Sequence, residues 1–532
     1  MSYLDLFGAT LPETVLEIAA LAVLIFDLGA LRKAANSTRI AAAALIGVTG
    51  CCVALWTVSF AGPFSAGNDL LLAAGGATGV AQAAILILTA LTLLLLIDSN
   101  FTRNPGEYVS VVLMAAAGGL IISAAQDLLV IFIGLELLSL GLYILTAFNK
   151  QSEKSAEAAI KYYLFGGMSA AFLLFGFSYL YGLSGSTSLP RVVLGTYMAS
   201  ANGGSPLLVI ALVMIAAGLG FKVAAVPFHL WAPDTYEGAP APAAAFIASV
   251  SKVASFALLI SISRAILWWP TMLHATPIHV TAGALLAKAL PPGTPRPHYA
   301  PSFRTIWPMI LMDLSVLSMI FGNLAALAQS SVRRLLAYSA IAHAGYILLG
   351  LAFFGWSNRS AQAILYYIVT YGLTTIGAFG VVGVVERATG SDKLDSFLGL
   401  HKRNPILAAV LLVLFLSLAG IPPFVGFWAK FNLFAAVLTL GTGPFPVSGP
   451  LSSLPREALT LVALAIAFSA VSLYYYLQVL KRAYVMPPSD ESPIHAHPTT
   501  LLVLVAIAAA VLVLGCFPAL LQNWIAAFYP AM

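Results

Sequence analysis

Four lysines lie inside long apolar stretches of the sequence, where a charged side chain is costly. They are Lys161, Lys222, Lys252 and Lys430. An ammonium group at the centre of a membrane helix costs at least about 2.5–3.5 kcal/mol, and such residues commonly belong to ion or proton pathways. Snorkelling or a structural ion pair is the alternative, and a helix end suits Lys161 or Lys252 better than Lys430, which is deep in its stretch.

An isolated acid, Glu136, lies in the middle of LLVIFIGLELLSLGLYILTAF, and its nearest charged neighbour in sequence is Asp127. Left alone, this carboxyl group should be protonated, whereas pairing with a lysine favours the charged forms of both groups. A glutamate–lysine pair whose separation changes can therefore exchange a proton with its neighbours. We hypothesise that Glu136 modulates one or more of the lysines on the next three helices; an inert ion pair is the alternative.

Other polar residues are weaker candidates for a proton path. His343, in AYSAIAHAGYILLG, could relay protons because imidazole titrates near neutral pH, and a structural histidine is the alternative. Asp313 and Asp27 could belong to a water path, although Asp27 is close to Arg32 and Lys33 and could be neutralised there. His229, Asp234 and Glu237 lie in the loop PFHLWAPDTYEGAP, where a wet inner-side entrance is possible and simple solvation is the favoured alternative. His495 and His497 lie in a hydrophilic loop, and two ligands do not make a metal site.

Membrane-spanning helices must position these side chains. The 532 residues are 60% apolar and 8% charged, whereas a soluble domain carries about 25% charge. The apolar runs are continuous, which predicts helices rather than the alternating strands of a β-barrel. The expected fold is therefore an all-α polytopic membrane protein without room for a soluble catalytic domain.

Apolar stretches between proline, glycine and charged clusters predict about 14 transmembrane helices. The predicted spans cover approximately 12–31, 39–61, 78–98, 107–125, 127–148, 156–181, 206–226, 241–266, 305–328, 332–354, 361–386, 405–438, 457–480 and 499–521. With the N-terminus outside, inner loops hold fourteen Lys and Arg against seven in outer loops. The positive-inside rule then predicts that both termini lie outside, and an acidic N-terminus favours a first helix that is retained.

Two of these spans are interrupted by proline. Pro227 follows Lys222 closely, and Pro422 and Pro423 precede Lys430. Unwound backbone survives in a membrane where it is buried in protein or lines a wet cavity, and breaks at corresponding positions of two halves indicate a transport site. Two unrelated kinks are the alternative.

Each break falls in the fourth helix of a predicted five-helix set. Because five is odd, the second set begins on the opposite side of the membrane, so the two sets form an inverted repeat. The predicted organisation is a three-helix segment at 1–106, repeats at 107–266 and 305–482, a Pro-rich outer loop at 267–304, and a last segment at 483–532.

Signatures of other chemistry are missing from the sequence. It has no GxxxxGK[ST], no HExxH and no dinucleotide fingerprint on a strand. Its 3 cysteines form no CxxC, and its net charge of +5 is spread over many loops, so neither an iron–sulfur ligand set nor nucleic-acid binding is expected. The chain is expected to move something rather than transform it.

Five stretches resemble the antiporter-like subunits of respiratory complex I, the proton-pumping NADH:quinone oxidoreductase, and among them the subunit N type. They are LGLELLSLGLYIL, EAAIKYYLFGGMSAAFLLFG, GLGFKVAAVPFHLWAPDTYEGAPAPAAAFIASVSKV, GNLAALAQSSVRRLLAYSAIAHAGY and GIPPFVGFWAKF. A lysine at 430 and the short C-terminus favour N over its sibling subunits M and L. The resemblance implies that Glu136 and Lys222 form a central pair, that Lys252 leads onward, and that Lys430 lies in the second broken helix.

The resemblance also implies that this chain binds no redox cofactor, because FMN, iron–sulfur clusters and quinone are expected in other subunits. Implied partners are lipids and other membrane subunits, especially the neighbouring antiporter-like subunit and the small membrane subunits. A bacterial inner membrane is favoured and an organellar one is left open. The 267–304 segment departs from the family pattern, and its VTAGALLAKAL piece could form a short interfacial helix.

Three other functions remain open from the sequence. A subunit of a cation/proton antiporter would share the buried lysines, and copurification with NADH-oxidising activity would distinguish it. A small-solute transporter would need a roomy polar pocket, which the scarcity of polar intramembrane residues disfavours. A structural spacer predicts that Lys222→Ala and Lys430→Ala leave pumping intact.

Overall fold

A computed structural model shows that the described part of the chain is helical, which confirms the predicted all-α class. It describes residues 8, 10–60, 71–73, 75–99, 101–201, 206–275, 303–354, 358–439, 454–488 and 490–528. Across these ranges the β-structure consists of isolated bridges alone. This follows from the solvent, because lipid offers the backbone no hydrogen-bond partner and each segment must satisfy its own polar groups.

The helices are numbered here in chain order over the described ranges. They are α1 Leu11–Ile25, α2 Asn36–Phe60, α3 Gly76–Leu96, α4 Pro105–Ala124, α5 Leu128–Thr146, α6 Glu153–Ser184, α7 Leu189–Ala201, α8 Pro206–Val223, α9 Trp231–Gly238, α10 Ala241–Ala275, α11 Phe303–Leu327, α12 Val332–Ala352, α13 Asn358–Thr389, α14 Leu400–Arg403, α15 Pro405–Ala419, α16 Val425–Thr439, α17 Leu454–Tyr484, α18 Pro498–Cys516 and α19 Ala519–Phe528. Among the described residues, 12 helices are long and apolar enough to cross a membrane. Together with α1 and the pair α15 and α16, they correspond to the predicted spans.

Both predicted breaks are present. The first lies between Val223 at the end of α8 and Trp231 at the start of α9. The second lies between Ala419 at the end of α15 and Val425 at the start of α16. At each break the residue after the helix has a left-handed backbone, with φ of 56° at Ala224 and 86° at Gly420. The chain thus leaves both helices with the same local turn.

Three predicted spans differ from the structure in how their helices are divided or end. The first span, 12–31, is an α-helix only to Ile25 and continues as a π-helical turn, Phe26–Ala30. The span 405–438 is two short helices rather than one long one, so Lys430 lies in the second half of a broken helix. The last span, 499–521, ends at Cys516 because Pro518 cannot continue it, and α19 follows as a separate helix.

The segment between the two predicted repeats also differs. Residues expected in the 267–304 loop continue α10 as far as Ala275, and α11 begins within the same segment at Phe303. The possible interfacial helix at 280–290 lies outside the described residues. A further helix, α7, occupies a stretch that the sequence left as a connection.

Ion pairs gather at one end of the described bundle. Arg387 near the end of α13 lies 2.6 Å from Asp98 just beyond α3. Arg333 at the start of α12 lies 3.2 Å from Glu386. The basic residues of these and the neighbouring pairs belong to the loops that the sequence assigns to the inner side. They are Arg39, Lys154, Arg333, Arg334, Arg387 and Arg482.

Candidate functional site

Glu136 and Lys222 are neighbours. The Glu136 Oε1 atom on α5 lies 4.0 Å from the Lys222 Nζ atom on α8. Lys222 also donates a hydrogen bond of 2.5 Å to the Ser139 hydroxyl group, one helical turn after Glu136. The Lys222 side chain is 8% exposed and the Glu136 side chain 29% exposed. The pair therefore lies at the edge of this chain, where exposed Ile133 and Leu140 flank the carboxylate.

Lys252 binds the end of the first broken helix. It is 3% exposed on α10, and its ammonium group donates to the carbonyl oxygen of Val223, the last residue of α8. Val223 directly follows Lys222, so Lys252 binds the residue next to Lys222 in the chain. The same break is fixed by a 2.9 Å hydrogen bond from the Val226 backbone amide to the Ser318 hydroxyl group of α11.

Lys430 binds the end of the second broken helix in the same way. Its ammonium group donates to the carbonyl oxygens of Leu418 at 3.1 Å and Ala419 at 3.0 Å. A third bond, of 2.8 Å, goes to the Ser469 hydroxyl group on α17. The Tyr346 ring lies 5.4 Å from the Lys430 Nζ atom. The side chain is 5% exposed, so backbone carbonyls, a hydroxyl group and an aromatic face replace its hydration shell.

At both breaks, a buried lysine thus donates to carbonyl groups at the end of a helix. Carbonyl groups at a helix C-terminus carry partial negative charge and stabilise a nearby cation. The sequence matched Lys222 with Lys430 because each is near a proline, whereas the structure shows that Lys252 makes the carbonyl contact that corresponds to Lys430. Lys222 instead has the acid and the hydroxyl group as partners.

His343 lies in a tyrosine-rich core near Lys430. Its Nδ1 atom is 2.7 Å from the Tyr367 hydroxyl group, and its Nε2 atom is 3.4 Å from the Tyr476 hydroxyl group. Tyr476 is also hydrogen-bonded to Ser339. A cavity of about 10 Å³ borders His343 and Thr370, on the order of the space that one water molecule needs. Both histidine nitrogens thus have partners that can donate or accept a proton.

A second chain of polar groups extends from this core. Asn323 on α11 donates to the Tyr346 hydroxyl group at 3.1 Å and accepts from Tyr475 at 3.2 Å. Tyr346 faces Lys430 with its ring. Hydroxyl and amide groups such as these can order water between titratable residues.

Lys161 is not a buried ammonium group. Its side chain is 40% exposed and lies 2.7 Å from Glu157 and 2.8 Å from Asp234. This matches the helix-end ion pair that the sequence left as an alternative. Its contribution to proton transfer stays a prediction, and its geometry separates it from the other three lysines.

Asp234 and Glu237 hold α9 in place through a charged network that we call the Asp234 cluster. It consists of Lys154, Glu157, Lys161, Asp234, Glu237 and Arg334. Arg334 on α12 binds Asp234 at 2.7 Å and Glu237 at 3.1 Å. Burial raises the pKa of both carboxyl groups, but their hydrogen bonds to basic partners outweigh it and lower each pKa below its usual value. These acids are thus ion-paired rather than merely solvated.

The remaining candidates lie apart from the lysines. Asp27 is neutralised, but by Arg39 at 2.7 Å rather than by its sequence neighbours Arg32 and Lys33. Asp313 is exposed on α11. His229 lies in the first break with a buried Nδ1 atom that has no hydrogen-bond partner in the described structure. His497 caps α18 by accepting from Thr499, and His495 is exposed in the preceding loop.

Sequence reasoning missed most of the groups that bind the lysines. Ser139 could have been found, because it lies three positions from Glu136 on the same helix face. Residue type does not indicate that the carbonyl oxygens of Val223, Leu418 and Ala419 bind lysines, because every residue has a backbone carbonyl group. Their exposure follows from helix ends whose exact positions the sequence does not give.

Comparison with known proteins defines the class first. The family described as "NADH:quinone oxidoreductase/Mrp antiporter, TM" matches residues 125–290 and 267–449. A chain of the Mrp complex from Dietzia sp. shares the fold, with a TM-score of 0.74 and 18% identity over 98% of both chains. These findings place the chain in a class of antiporter-like membrane subunits.

More similar proteins define the particular family. NADH-quinone oxidoreductase subunit N 2 of Acidobacterium capsulatum is 45% identical over 99% of both chains. A chain of respiratory complex I from Thermus thermophilus has a TM-score of 0.73 and 30% identity, covering 97% of this chain and 100% of that one. The chain belongs to the subunit N family of NADH-quinone oxidoreductase, as the five matched stretches predicted.

Proposed function

We propose that this chain translocates protons across the membrane by means of Glu136, Lys222, Lys252 and Lys430, with His343 as a relay and Lys161 at the inner entrance. Quinone reduction elsewhere in the complex would change the Glu136–Lys222 pair. A proton would then enter from the inner side, pass along the three buried lysines and leave on the outer side.

The observation that supports this proposal most directly is the environment of the three buried lysines. Each ammonium group is less than a tenth exposed and is held by oxygen atoms at a helix end or beside an acid. A buried lysine whose partners are neutral oxygens can exist with or without its proton, because no full negative charge fixes its state. Lys222 is the exception, since Glu136 at 4.0 Å can stabilise its charged form.

Glu136 is suited to receive a signal from outside this chain. Its side chain is 29% exposed at the chain's surface, and a charged group would be costly against lipid. We therefore expect a neighbouring membrane subunit of the oxidoreductase to cover it, most directly the adjacent antiporter-like subunit. We also expect contacts with the small membrane subunits and with lipids. The proposed location is a bacterial inner membrane, with both termini outside. Cofactors are expected in other subunits.

Reconstitution of the intact oxidoreductase in liposomes tests the proposal. Proton uptake and NADH oxidation are measured together for wild type, Lys222→Ala and Glu136→Gln. We expect both variants to lose most or all of the proton uptake contributed by this chain, because the first removes the carrier and the second removes its charged partner. The control is Glu153→Gln, at an exposed acid of α6.

Unchanged proton uptake per NADH in Lys222→Ala would contradict the proposal and favour a spacer role. Unchanged uptake in Glu136→Gln alone would remove the acid from the mechanism while leaving the lysines. Copurification of the chain with an NADH-oxidising complex distinguishes the proposal from a cation/proton antiporter.

A further inference from the structure

A polar cavity lies at the end of the bundle opposite the ion pairs. Its volume is about 360 Å³, within the range of small-molecule sites. Helices α13, α16 and α19 form its walls. The polar side chains that line it are Arg359, Gln362, Tyr366, Asn432, Gln522 and Asn523.

The cavity contains a hydrogen-bonding group without a partner. Tyr366 is 1% exposed, and its buried hydroxyl group has no hydrogen-bond partner among the described residues. A buried hydroxyl group that lacks a partner destabilises the folded state. Its position in the wall of a polar cavity therefore indicates a bound group that would accept its hydrogen bond.

Arg359 gives the cavity a positive charge. The guanidinium group has no carboxylate partner in the described structure, and the side chain is exposed at the start of α13. Within the described lining no acid balances it, whereas the carboxamide groups of Asn432, Gln522 and Asn523 add neutral donors. A guanidinium group surrounded by hydrogen-bond donors is the usual arrangement for binding a phosphate group.

The location of the cavity indicates the source of that phosphate. Arg359 and the neighbouring helix starts are at the bundle end that the sequence assigns to the outer side. There α19 packs across the starts of α13 and α3, with Phe528 against Gly79. Helix α19 presents polar Gln522 and Asn523 to the cavity and carries apolar Leu520 exposed elsewhere, a combination found in helices that lie at the headgroup level. Part of the cavity wall is apolar, formed by Ala435, Ala436 and Ile525.

We propose that this cavity binds the phosphate group of an anionic phospholipid from the outer leaflet. Arg359 and the Tyr366 hydroxyl group bind the phosphate oxygens, and the carboxamide groups bind the glycerol part of the headgroup. The apolar wall contacts the first carbons of the acyl chains. The bound lipid would tie α19 to α13 and α16, the helix that carries Lys430. Free phosphate offers the same oxygen atoms, so the experiment must distinguish the two sources.

Photolabelling of the purified oxidoreductase tests this site. The intact complex is placed in phosphatidylcholine vesicles that contain a phosphatidylglycerol analogue with a photoreactive group near its phosphate. Crosslinked peptides are then mapped. We expect labels on α13 and α19, reduced about tenfold in Arg359→Gln because a charged hydrogen bond is lost. Tyr366→Phe should reduce labelling as well, with little effect on packing.

The matched control is Arg456→Gln, which removes an exposed arginine at the start of α17. It should leave the labels on α13 and α19 unchanged. Excess inorganic phosphate distinguishes the sources: persistence of the label supports the lipid, and displacement assigns the site to free phosphate and overturns the lipid proposal. Equal labelling by a photoreactive diacylglycerol without phosphate, or undiminished labelling in Arg359→Gln, would also overturn it.

Discussion

Individual lysines in this chain differ in what stabilises their charge. Lys252 and Lys430 bind backbone carbonyl groups at helix ends, Lys222 faces a carboxylate and a hydroxyl group, and Lys161 lies in an exposed ion pair. Carbonyl groups at a helix end carry only partial negative charge, so they stabilise an ammonium group less strongly than a carboxylate does. The residues that fix those helix ends are therefore as informative as the lysines themselves.

Gly420 provides a test at the residue scale. Its φ of 86° favours glycine, and a Cβ atom there would lie 2.9 Å from the Lys430 Cδ atom. Gly420→Ala should therefore displace Lys430 from the carbonyl groups and sharply reduce proton uptake per NADH in liposomes. The strained backbone should also cost about 1–2 kcal/mol of stability.

Gly390→Ala separates these two effects. Gly390 also has a left-handed φ, of 72°, but a Cβ atom there would meet nothing within 4 Å. This control should lose similar stability, measured by thermal unfolding of the complex, while keeping its proton uptake. Equal losses of uptake in both variants would show that backbone strain, rather than the position of Lys430, governs the effect.

At the scale of elements, α9 joins the first break to α6 and α12. It follows the first break directly, packs against α6 and α12, and is held by the Asp234 cluster. Trp231 at its start donates to the Phe221 carbonyl oxygen at 3.0 Å and stacks on Tyr162 at 4.3 Å. The ion pairs thus fix a short helix next to Lys222, and loosening them should change access to that lysine from the inner side.

Asp234→Asn should destabilise the complex at neutral pH, by about 1 kcal/mol for a partly exposed ion-pair network. The folded-state pKa of Asp234 is lowered, so its contribution is present above the unfolded pKa of about 3.9. It is lost as pH falls through the lower, folded value. The difference in unfolding temperature between wild type and Asp234→Asn should therefore be constant near neutral pH and shrink below about pH 4.

Glu491→Gln serves as the comparison for this experiment, because Glu491 is exposed and forms no ion pair in the described structure. It should change the unfolding temperature little at any pH. A difference for Asp234→Asn that grew as pH fell would show that the carboxyl group is destabilising in the folded state.

For the whole molecule, orientation decides the direction of proton movement. Apart from Glu136 and Lys222, the described ion pairs lie at the end that the positive-inside rule assigns to the inner side, and the proposed phosphate site lies at the other end. In a cysteine-free background, Lys150→Cys should react with a membrane-impermeant maleimide only from the inside. Arg191→Cys should react only from the outside, and both positions are exposed. The reverse pattern, measured on spheroplasts and inverted vesicles, would invert the proposed direction.

The sequence by itself determined the membrane class, the approximate spans, both breaks, the family and the residues most costly to bury. These follow from hydropathy, proline and short motifs, which are local properties. The inverted relation of the two repeats and the roles of the site residues stay predictions.

Only the tertiary structure decided which partners the titratable groups have. Ser139 and Lys222 are 83 positions apart, and His343 and Tyr476 are 133 apart. Pro227 lies near Lys222 in the sequence, but in the folded chain the carbonyl group exposed at that break accepts a hydrogen bond from Lys252. Composition places a charge inside the membrane, whereas the folded chain determines which oxygen atoms stabilise it there.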